Sequence, residues 1–131
     1  NVVLLGSATE GTNRMETEDA NGYQMVKELF AKPIDYTAIF ASTDSNALGI
    51  LKAADELHIR IPGDLSLIGF DNIPSTALPR IDLTTIEQPK KEMAVQAVDM
   101  LLDKIEKGTQ GYVHQILMPS LVQRGTCRSL T

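Results

Sequence analysis

The sequence predicts an α/β fold built on a parallel sheet, and two observations lead to this prediction. Three short apolar runs, at residues 2–5, 38–41 and 65–68, alternate with two amphipathic stretches of helical periodicity. This β-α-β-α-β order is typical of parallel strands joined by right-handed crossovers. The size and composition, 131 residues of which 43% are apolar and 22% are charged, suit one ordinary globular domain.

The first two helices are predicted from their start signals and apolar stripes. The first helix is predicted to begin at Thr17, whose hydroxyl would cap it, and to end before Pro33. The second helix is predicted to have Asp44 as its N-cap and to end near His58. Because its apolar residues cover more than one side, we expect the second helix to contact something besides the sheet.

The third strand is preceded by a turn and followed by polar residues. Residues 62–64, Pro-Gly-Asp, favour the turn, and residues 65–68 are almost continuously apolar, as in a parallel strand covered on both faces. Asp71 and Asn72 then lie at the carboxyl end of the strand, the edge at which open α/β sheets bind ligands. Position alone leaves two interpretations open, a turn that ends the strand or a contact to a ligand.

The second half of the sequence contains one long helix between irregular segments. Residues 72–83 are predicted to form a loop, and residues 83–86 a short extended segment. Pro89 is predicted at the N1 position of a helix that runs to about Lys107 and is stopped by Gly108. Residues 113–118 and 121–123 are predicted to be extended. Burial of the apolar face of the helix would contribute on the order of 10 kcal/mol, so we expect it to be covered. This face consists of Ala94, Ala97, Val98, Leu101, Leu102 and Ile105.

Composition and motifs exclude several classes of function. The net charge of −5 argues against binding of DNA or an anionic membrane by this segment, because phosphate binding requires clustered Lys and Arg. No apolar run is as long as a membrane span, and the first residues lack a signal-peptide pattern. The single Cys127 fits a reducing compartment. His58 and His114 are isolated, so no metal site is predicted. No motif of nucleophilic or metal-dependent catalysis occurs, which predicts a protein that is not an enzyme and needs no cofactor.

Three segments resemble the LacI/GalR (lactose-repressor) family of bacterial transcription regulators. Residues 62–72, Pro-Gly-Asp-Leu-Ser-Leu-Ile-Gly-Phe-Asp-Asn, are similar to the family signature P-x-D-[VIL]-S-[VIL]-[VI]-G-[FY]-D-[DN]. Residues 40–49, Phe-Ala-Ser-Thr-Asp-Ser-Asn-Ala-Leu-Gly, resemble the strand-to-helix segment of the family, and residues 83–89, Leu-Thr-Thr-Ile-Glu-Gln-Pro, its L-T-T-[IV]-x-Q-P motif. The order and spacing of the three segments make the resemblance specific. Asp82 departs from the apolar or Pro residue that the family often has before this last motif, which leaves the local loop path open.

The resemblance implies a helix-turn-helix DNA-binding domain, a hinge, and a two-subdomain core similar to periplasmic sugar-binding proteins. On this basis residues 1–88 are expected to be part of the C-subdomain, a three-layer parallel sheet of periplasmic-binding-protein type. Residues 89–108 are then a helix of the N-subdomain, and residues 109–131 return to the C-subdomain. Since the sequence does not begin with Met, we expect position 1 to be a cut end, with the DNA-binding domain, the hinge and most of the N-subdomain outside this sequence.

The resemblance also points to effector-binding residues, each of which has a structural alternative. Asp71 is the first candidate, because several family members use the aspartate at this place. Thr43 occupies a position in the ligand cleft of the family, and its alternative is a loop residue before a helix cap. Gln88 lies at the crossing between the subdomains, and its alternative is a helix N-cap. Thr17 replaces an aromatic residue that stacks on the ligand in many members, so the effector would be smaller or held by hydrogen bonds. A major effector-binding Arg of the family lies upstream, so the chain is expected to hold at most half a site.

The second helix faces a partner subunit in dimers of the family. Leu48, Leu51 and Asp55 on this helix, together with Leu78, are therefore candidates for a homodimer interface. The alternative for Leu48 and Leu51 is that they belong to the ordinary core. The surplus of apolar positions on the helix favours the interface.

Three hypotheses of function follow. The first is the effector-sensing and dimerisation part of a cytoplasmic regulator, in which a sugar or another small metabolite biases the angle between the subdomains. DNA would be contacted only through the N-terminal helix-turn-helix, and no membrane would be involved. The second is a periplasmic sugar-binding protein of a transporter, which the upstream sequence would distinguish by a signal peptide. The third is an α/β enzyme, but the sequence contains no recognisable acid–base pair or activated nucleophile to support it.

Overall fold

The computed structural model describes residues 2–5, 14–31, 36–108 and 111–130, and the chain divides into two units. The first unit contains Asn1–Glu87 and Leu121–Thr131, and the second contains Gln88–Ser120. The chain therefore passes between the units twice, after Glu87 and after Ser120. The assignment of the second unit to another subdomain stays a prediction.

Strands and helices alternate in the first unit as the sequence predicts. The described strands are β1 Val2–Leu5, β2 Ala38–Ala41, β3 Ser66–Phe70, β4 Thr84–Glu87 and β5 Ser120–Val122. They lie in this order in the sheet, and the pairs β1–β2, β2–β3 and β3–β4 are parallel. The predicted α/β class with a parallel sheet is thus confirmed. A short 3₁₀ helix, Pro74–Ala77, lies between β3 and β4. The helices that connect the first three strands are α1 Arg14–Phe30 and α2 Asp44–Glu56.

The core lies between one face of the sheet and the helices α1 and α2. Ile39 of β2 and Leu67 of β3 are fully buried, and so are Leu83 just before β4, Val26 of α1 and Ile50 of α2. Successive right-handed crossovers in the same direction place both helices on the same face of the sheet, where they pack against each other. The apolar runs and helical stripes of the sequence thus form the core, as predicted.

Burial of β3 alternates more than its apolar sequence suggests. Leu65 and Leu67 are buried, whereas Ile68 and Phe70 are only half-buried. The expectation of a strand covered on both faces is therefore met at the buried Ser66 and only in part at Ile68 and Phe70, which lie on the same face. The cause is the placement of α1 and α2, which cover the same side of the sheet.

The start of α1 differs from its prediction. The helix begins at Arg14, so Thr17 lies in its first turn and is not its N-cap. Residues 14–16, Arg-Met-Glu, are good helix formers and extend the helix toward the N-terminus. The helix ends at Phe30, before Pro33, as predicted.

The cap of α2 also differs from its prediction. Thr43 is the N-cap, and its Oγ1 accepts a hydrogen bond from the backbone N–H of Asn46 at 3.1 Å. Asp44 is instead the first residue of the helix. Both residue types are good caps, so local sequence alone does not decide between them.

The turn before β3 is held by one exposed ion pair. Asp64 accepts two hydrogen bonds from the Arg60 guanidinium, at 3.0 and 2.6 Å, and one from the Arg60 backbone N–H at 2.9 Å. The side-chain hydrogen bonds from Arg60, followed by its backbone hydrogen bond, lower the pKa of Asp64 from 3.8 to about 2. The turn favoured by Pro-Gly-Asp at residues 62–64 is thus held in addition by the ion pair between Arg60 and Asp64.

The second unit is dominated by helix α3, Lys90–Lys107. Pro89 is its N-cap rather than its N1 residue, and Gly108 ends it in the left-handed region with φ of 59°, as predicted. Residues 112–119 have no regular secondary structure, so the extended segment predicted at 113–118 is not a strand. No residue of α3 is buried, and the face that was expected to be covered is exposed. The exposed large side chains of the helix include Met93, Val95, Val98, Leu101, Leu102 and Ile105.

Candidate functional site

Neighbouring strands present polar residues at the same level of the carboxyl edge. Phe40 of β2 is paired with Ile68 of β3, and Thr43 and Asp71 follow these two residues by three positions each. Glu87, the last residue of β4, stands at the corresponding position on the next strand. The parallel register thus brings two of the predicted effector-binding residues, Thr43 and Asp71, to one edge of the sheet.

Asp71 and Asn72 adopt an unusual backbone conformation. Their φ values are +115° and +50°, a region that L residues rarely adopt and that Asp and Asn tolerate best. The Asp71 N–H donates to the Ile86 carbonyl at 2.9 Å, which continues the contact between β3 and β4 beyond the end of β3. Two consecutive residues of this kind cost on the order of 1–3 kcal/mol each and persist only where the surroundings hold them.

Asp44 is fully buried near this edge and accepts hydrogen bonds from β4 and from the segment after β3. One carboxylate oxygen accepts the Thr85 hydroxyl proton at 2.5 Å, and the other accepts the Ile73 N–H at 2.9 Å. Its place in the first turn of α2 adds the favourable field of the helix N-terminus. A Cβ at position 69 would overlap the Asp44 carboxylate, which explains the glycine there. Asp44 is therefore structural, as the sequence suggests, although it joins α2 to β4 and to the segment after β3 and does not cap the helix.

A second polar network holds the side chain of Asn72, and the sequence did not indicate it. Arg124, which follows β5, donates to Asn72 Oδ1 at 2.7 Å and to the Leu83 carbonyl at 2.7 Å. Asn72 Nδ2 donates to Glu87 Oε2 at 2.9 Å, and Arg124 also reaches the Thr76 hydroxyl at 3.2 Å. The contact between positions 72 and 124 spans 52 residues, so no local spacing could signal it.

The other two effector candidates lie elsewhere in the chain. Gln88 is the first residue of the second unit and is half-buried. Thr17 lies in the first turn of α1, and its side chain is outside the described residues. Their roles in binding stay predictions, as do those of Asp71 and Thr43.

The interface candidates of α2 line an open groove of about 810 Å³ on the first unit. Leu48 and Leu51 are half-buried, and Asp55 is exposed. Leu51 also packs against the core, in line with its structural alternative. Leu78 is 53% exposed, and its carbonyl accepts the N–H of Ile81, which lines the same groove. The remaining groove residues are Ala54, His58, Ile59, Arg60, Ile61 and Arg80.

In residues 2–5, 14–31, 36–108 and 111–130, no three His, Cys, Asp or Glu side chains come together in a way that could hold a metal ion. Within those same ranges, no helix is both long and apolar enough to cross a lipid bilayer.

An open parallel sheet with polar groups at its carboxyl edge defines an α/β ligand-binding fold. Comparison with known proteins agrees with this class. Residues 3–127 match the periplasmic binding protein-like domain, and the chain belongs to this family.

Within the family the chain matches the effector-binding domain of LacI-family regulators, which confirms the resemblance found in the sequence. The HTH-type transcriptional regulator MalR of Clostridium butyricum is 38% identical over 112 residues, which cover 86% of this chain and 33% of MalR. The HTH-type transcriptional repressor PurR of Escherichia coli O139:H28 is 37% identical over 107 residues, 82% of this chain and 31% of PurR. The chain thus spans about a third of the length of both proteins.

A solved structure extends the match to three dimensions. The LacI family transcriptional regulator of Enterococcus faecalis V583, solved with bound ribose, has a TM-score of 0.79 and 31% identity, covering 87% of this chain and 42% of that one. The relatives are transcriptional regulators, in agreement with the prediction that the chain is not an enzyme.

Proposed function

We propose that this chain supplies one side of the effector site, and the dimer interface, of a LacI-type transcriptional regulator whose effector is a sugar or a related polar metabolite. The observation that carries the proposal is the position of Asp71. It extends from the carboxyl end of β3, half-buried, in a positive-φ turn that several long-range hydrogen bonds support.

The chemistry of this edge suits a polyhydroxyl ligand. A carboxylate accepts hydrogen bonds from two neighbouring hydroxyl groups, and a half-buried one discriminates against ligands that cannot donate. The Thr43 oxygen accepts the Asn46 N–H, which leaves its hydroxyl proton able to donate to a ligand oxygen. The ribose bound by the Enterococcus faecalis regulator is a ligand of this class.

In a protein of the relatives' length, the mechanism would be a shift between two arrangements of the core. An effector that binds one arrangement better favours it by the difference in its two affinities. That change would reach DNA through a helix-turn-helix such as the one that gives MalR and PurR their class, and the protein would act in the cytoplasm. The net charge of −5 agrees with DNA being contacted elsewhere.

The groove on α2 supports a homodimer. Leu48 and Leu51 present apolar surface there, and Asp55 and Arg80 bring opposite charges to the same surface. A two-fold axis through this groove would place the same patch on both subunits, so that an acidic group of one can meet a basic group of the other.

The test is a thermal-shift screen of the intact protein with pentoses, hexoses, sugar phosphates and nucleobases, on wild type and on Asp71→Asn. Asn keeps the positive φ and the size of the side chain but removes the charge. Ligand at a hundredfold excess over its Kd stabilises the wild type by about 2.7 kcal/mol. Loss of a charge-assisted hydrogen bond weakens binding by about 1.5–3 kcal/mol, at least tenfold in Kd.

Asp82→Asn is the matched control, since Asp82 is an exposed loop aspartate that also has positive φ, of +42°. A compound that stabilises the wild type and Asp82→Asn by about 2.7 kcal/mol, but Asp71→Asn by only about 0.3–1.3 kcal/mol, supports the site. A compound that shifts all three equally removes Asp71 from it. Sugar binding with no effect on operator DNA in a mobility-shift assay would instead favour a periplasmic sugar-binding protein.

A further inference from the structure

The side chain of Asn72 links the turn at Asp71 to both places at which the chain passes between the units. Asn72 receives a hydrogen bond from Arg124 at 2.7 Å and donates one to Glu87 at 2.9 Å. Glu87 is the last residue before the chain enters the second unit, and Arg124 is the fourth residue after the chain leaves it at Ser120. All three side chains belong to the first unit.

These contacts are more extensive than a turn requires. Arg124 spreads its guanidinium over three acceptors, namely Asn72, Thr76 and the Leu83 carbonyl, and its backbone N–H donates to the Thr84 hydroxyl at 2.9 Å. An amide that binds a carboxylate on one side and a guanidinium on the other cannot rotate without losing both hydrogen bonds. The position of Asn72 is therefore fixed by both neighbours.

We propose that Asn72, Glu87 and Arg124 are positioning residues that hold the Asp71 turn and couple its state to the two segments that connect the units. This inference rests on the proposed function, because it connects the proposed effector contact at Asp71 with the two segments that join the units. A ligand that pulls on Asp71 moves the adjoining Asn72, and Asn72 transmits that movement to β4 and to the segment after β5. The effector itself touches none of the three residues in this mechanism.

The test swaps the donor and the acceptor in the hydrogen bond between positions 72 and 87. Asn72→Asp keeps an acceptor for Arg124 but sets a carboxylate against that of Glu87. Glu87→Gln alone keeps an oxygen that accepts from Asn72. In the double variant, the amide of position 87 donates to the carboxylate of position 72, so the bridge is rebuilt with reversed direction.

Hydrogen exchange of the unliganded chain provides the measurement. Asn72→Asp is expected to accelerate exchange about tenfold at residues 84–88 and 120–126 as well as at the turn. Glu87→Gln is expected to resemble the wild type, and the double variant to recover most of the protection. Arg124→Gln, which removes the guanidinium that holds Asn72, is expected to accelerate exchange at the same residues. Arg128→Gln is its control, since Arg128 is exposed and donates to the Pro62 carbonyl instead.

Acceleration confined to residues 71–76, or a double variant that exchanges as fast as Asn72→Asp, would overturn the inference. This result is separate from the fate of the proposed function. Failure of the function appears as the absence of any ligand shift in the wild type, whereas the exchange experiment contains no ligand. Ribose titrated into the intact double variant then shows whether restored coupling also restores wild-type affinity.

Discussion

Thr126 offers a sharp test of how the end of the chain stabilises the sheet. Its hydroxyl accepts the N–H of Thr84 at 2.8 Å and donates to the carbonyl of Leu67 at 2.7 Å. Its own carbonyl accepts the Leu67 N–H at 2.8 Å. Thr126 is only 4% exposed, so water cannot replace these contacts. Its side chain is thus a buried bridge between β3 and β4.

Thr126→Val removes the hydroxyl and keeps the shape. The Thr84 N–H then loses its partner in a buried position, which costs about 1–3 kcal/mol. The Leu67 carbonyl also loses the Thr126 hydroxyl, but it keeps a weak donor, because Cys127 Sγ lies at 3.3 Å from it. The free-energy cost at this carbonyl is therefore close to that of one ordinary hydrogen bond, about 1 kcal/mol. We expect a total destabilisation of about 2–4 kcal/mol, a large part of the ~5–15 kcal/mol typical of a whole domain.

Urea denaturation followed by far-ultraviolet circular dichroism measures this change. Thr126→Ser is the matched control, because it keeps the hydroxyl and loses one methyl group, about 0.8 kcal/mol. If Thr126→Val is no less stable than Thr126→Ser, the bridge contributes nothing net. That result would refute the inference that the Thr126 hydroxyl stabilises the contact between β3 and β4.

Three further predictions concern other parts of the first unit. Gly69→Ala should destabilise the fold by about 1–3 kcal/mol in the same assay, because the new methyl overlaps the buried Asp44 carboxylate; an unchanged midpoint would show that Asp44 moves freely. Asp64 has a folded pKa of about 2, below its ordinary 3.8, so its pairing with Arg60 stabilises the fold above about pH 4, and this contribution is lost as pH falls toward 2. Asp64→Asn should therefore flatten the melting temperature between pH 5 and 2, and parallel wild-type and variant profiles would contradict this. Leu48→Lys should convert a dimer into monomers in sedimentation velocity while monomer stability stays within about 0.5 kcal/mol, and an undisturbed dimer would place the interface elsewhere.

The sequence predicted those parts of the fold that short-range patterns encode. The strands at residues 2–5 and 38–41 have the predicted bounds, because apolar runs between turns admit few alternatives. The cap of α2 was missed since Thr43 and Asp44 are adjacent and Asp is on average the better cap of the two. Only tertiary structure separates them, by drawing the Asp44 carboxylate into the core.

The candidate site shows the same division between local and long-range information. The place of Asp71 at a carboxyl edge could be predicted because it follows an apolar strand, whereas Thr43 was named only by the resemblance to the family. The partners of Asn72 could not, because Glu87 and Arg124 are 15 and 52 residues away in sequence. An Arg after a three-residue strand reads as an ordinary exposed residue until the strand order is known.

The contacts around residues 71–73 bear on the two interpretations that the sequence left open, a turn that ends the strand or a contact to a ligand. A turn that only ends a strand needs one backbone hydrogen bond and no strained residues. This turn has two consecutive positive-φ residues and is held by Ile86, Glu87 and Arg124, while Asp44 accepts the N–H of the next residue, Ile73. Selection for stability alone would favour a relaxed turn, since the strain costs on the order of 1–3 kcal/mol per residue. Rigid support of a strained carboxylate is instead what a preorganised ligand contact requires, because ordering it at the moment of binding would weaken affinity. This rigid support is a reason for the proposed binding role of Asp71, which stays a prediction until the ligand screen of Asp71→Asn is done.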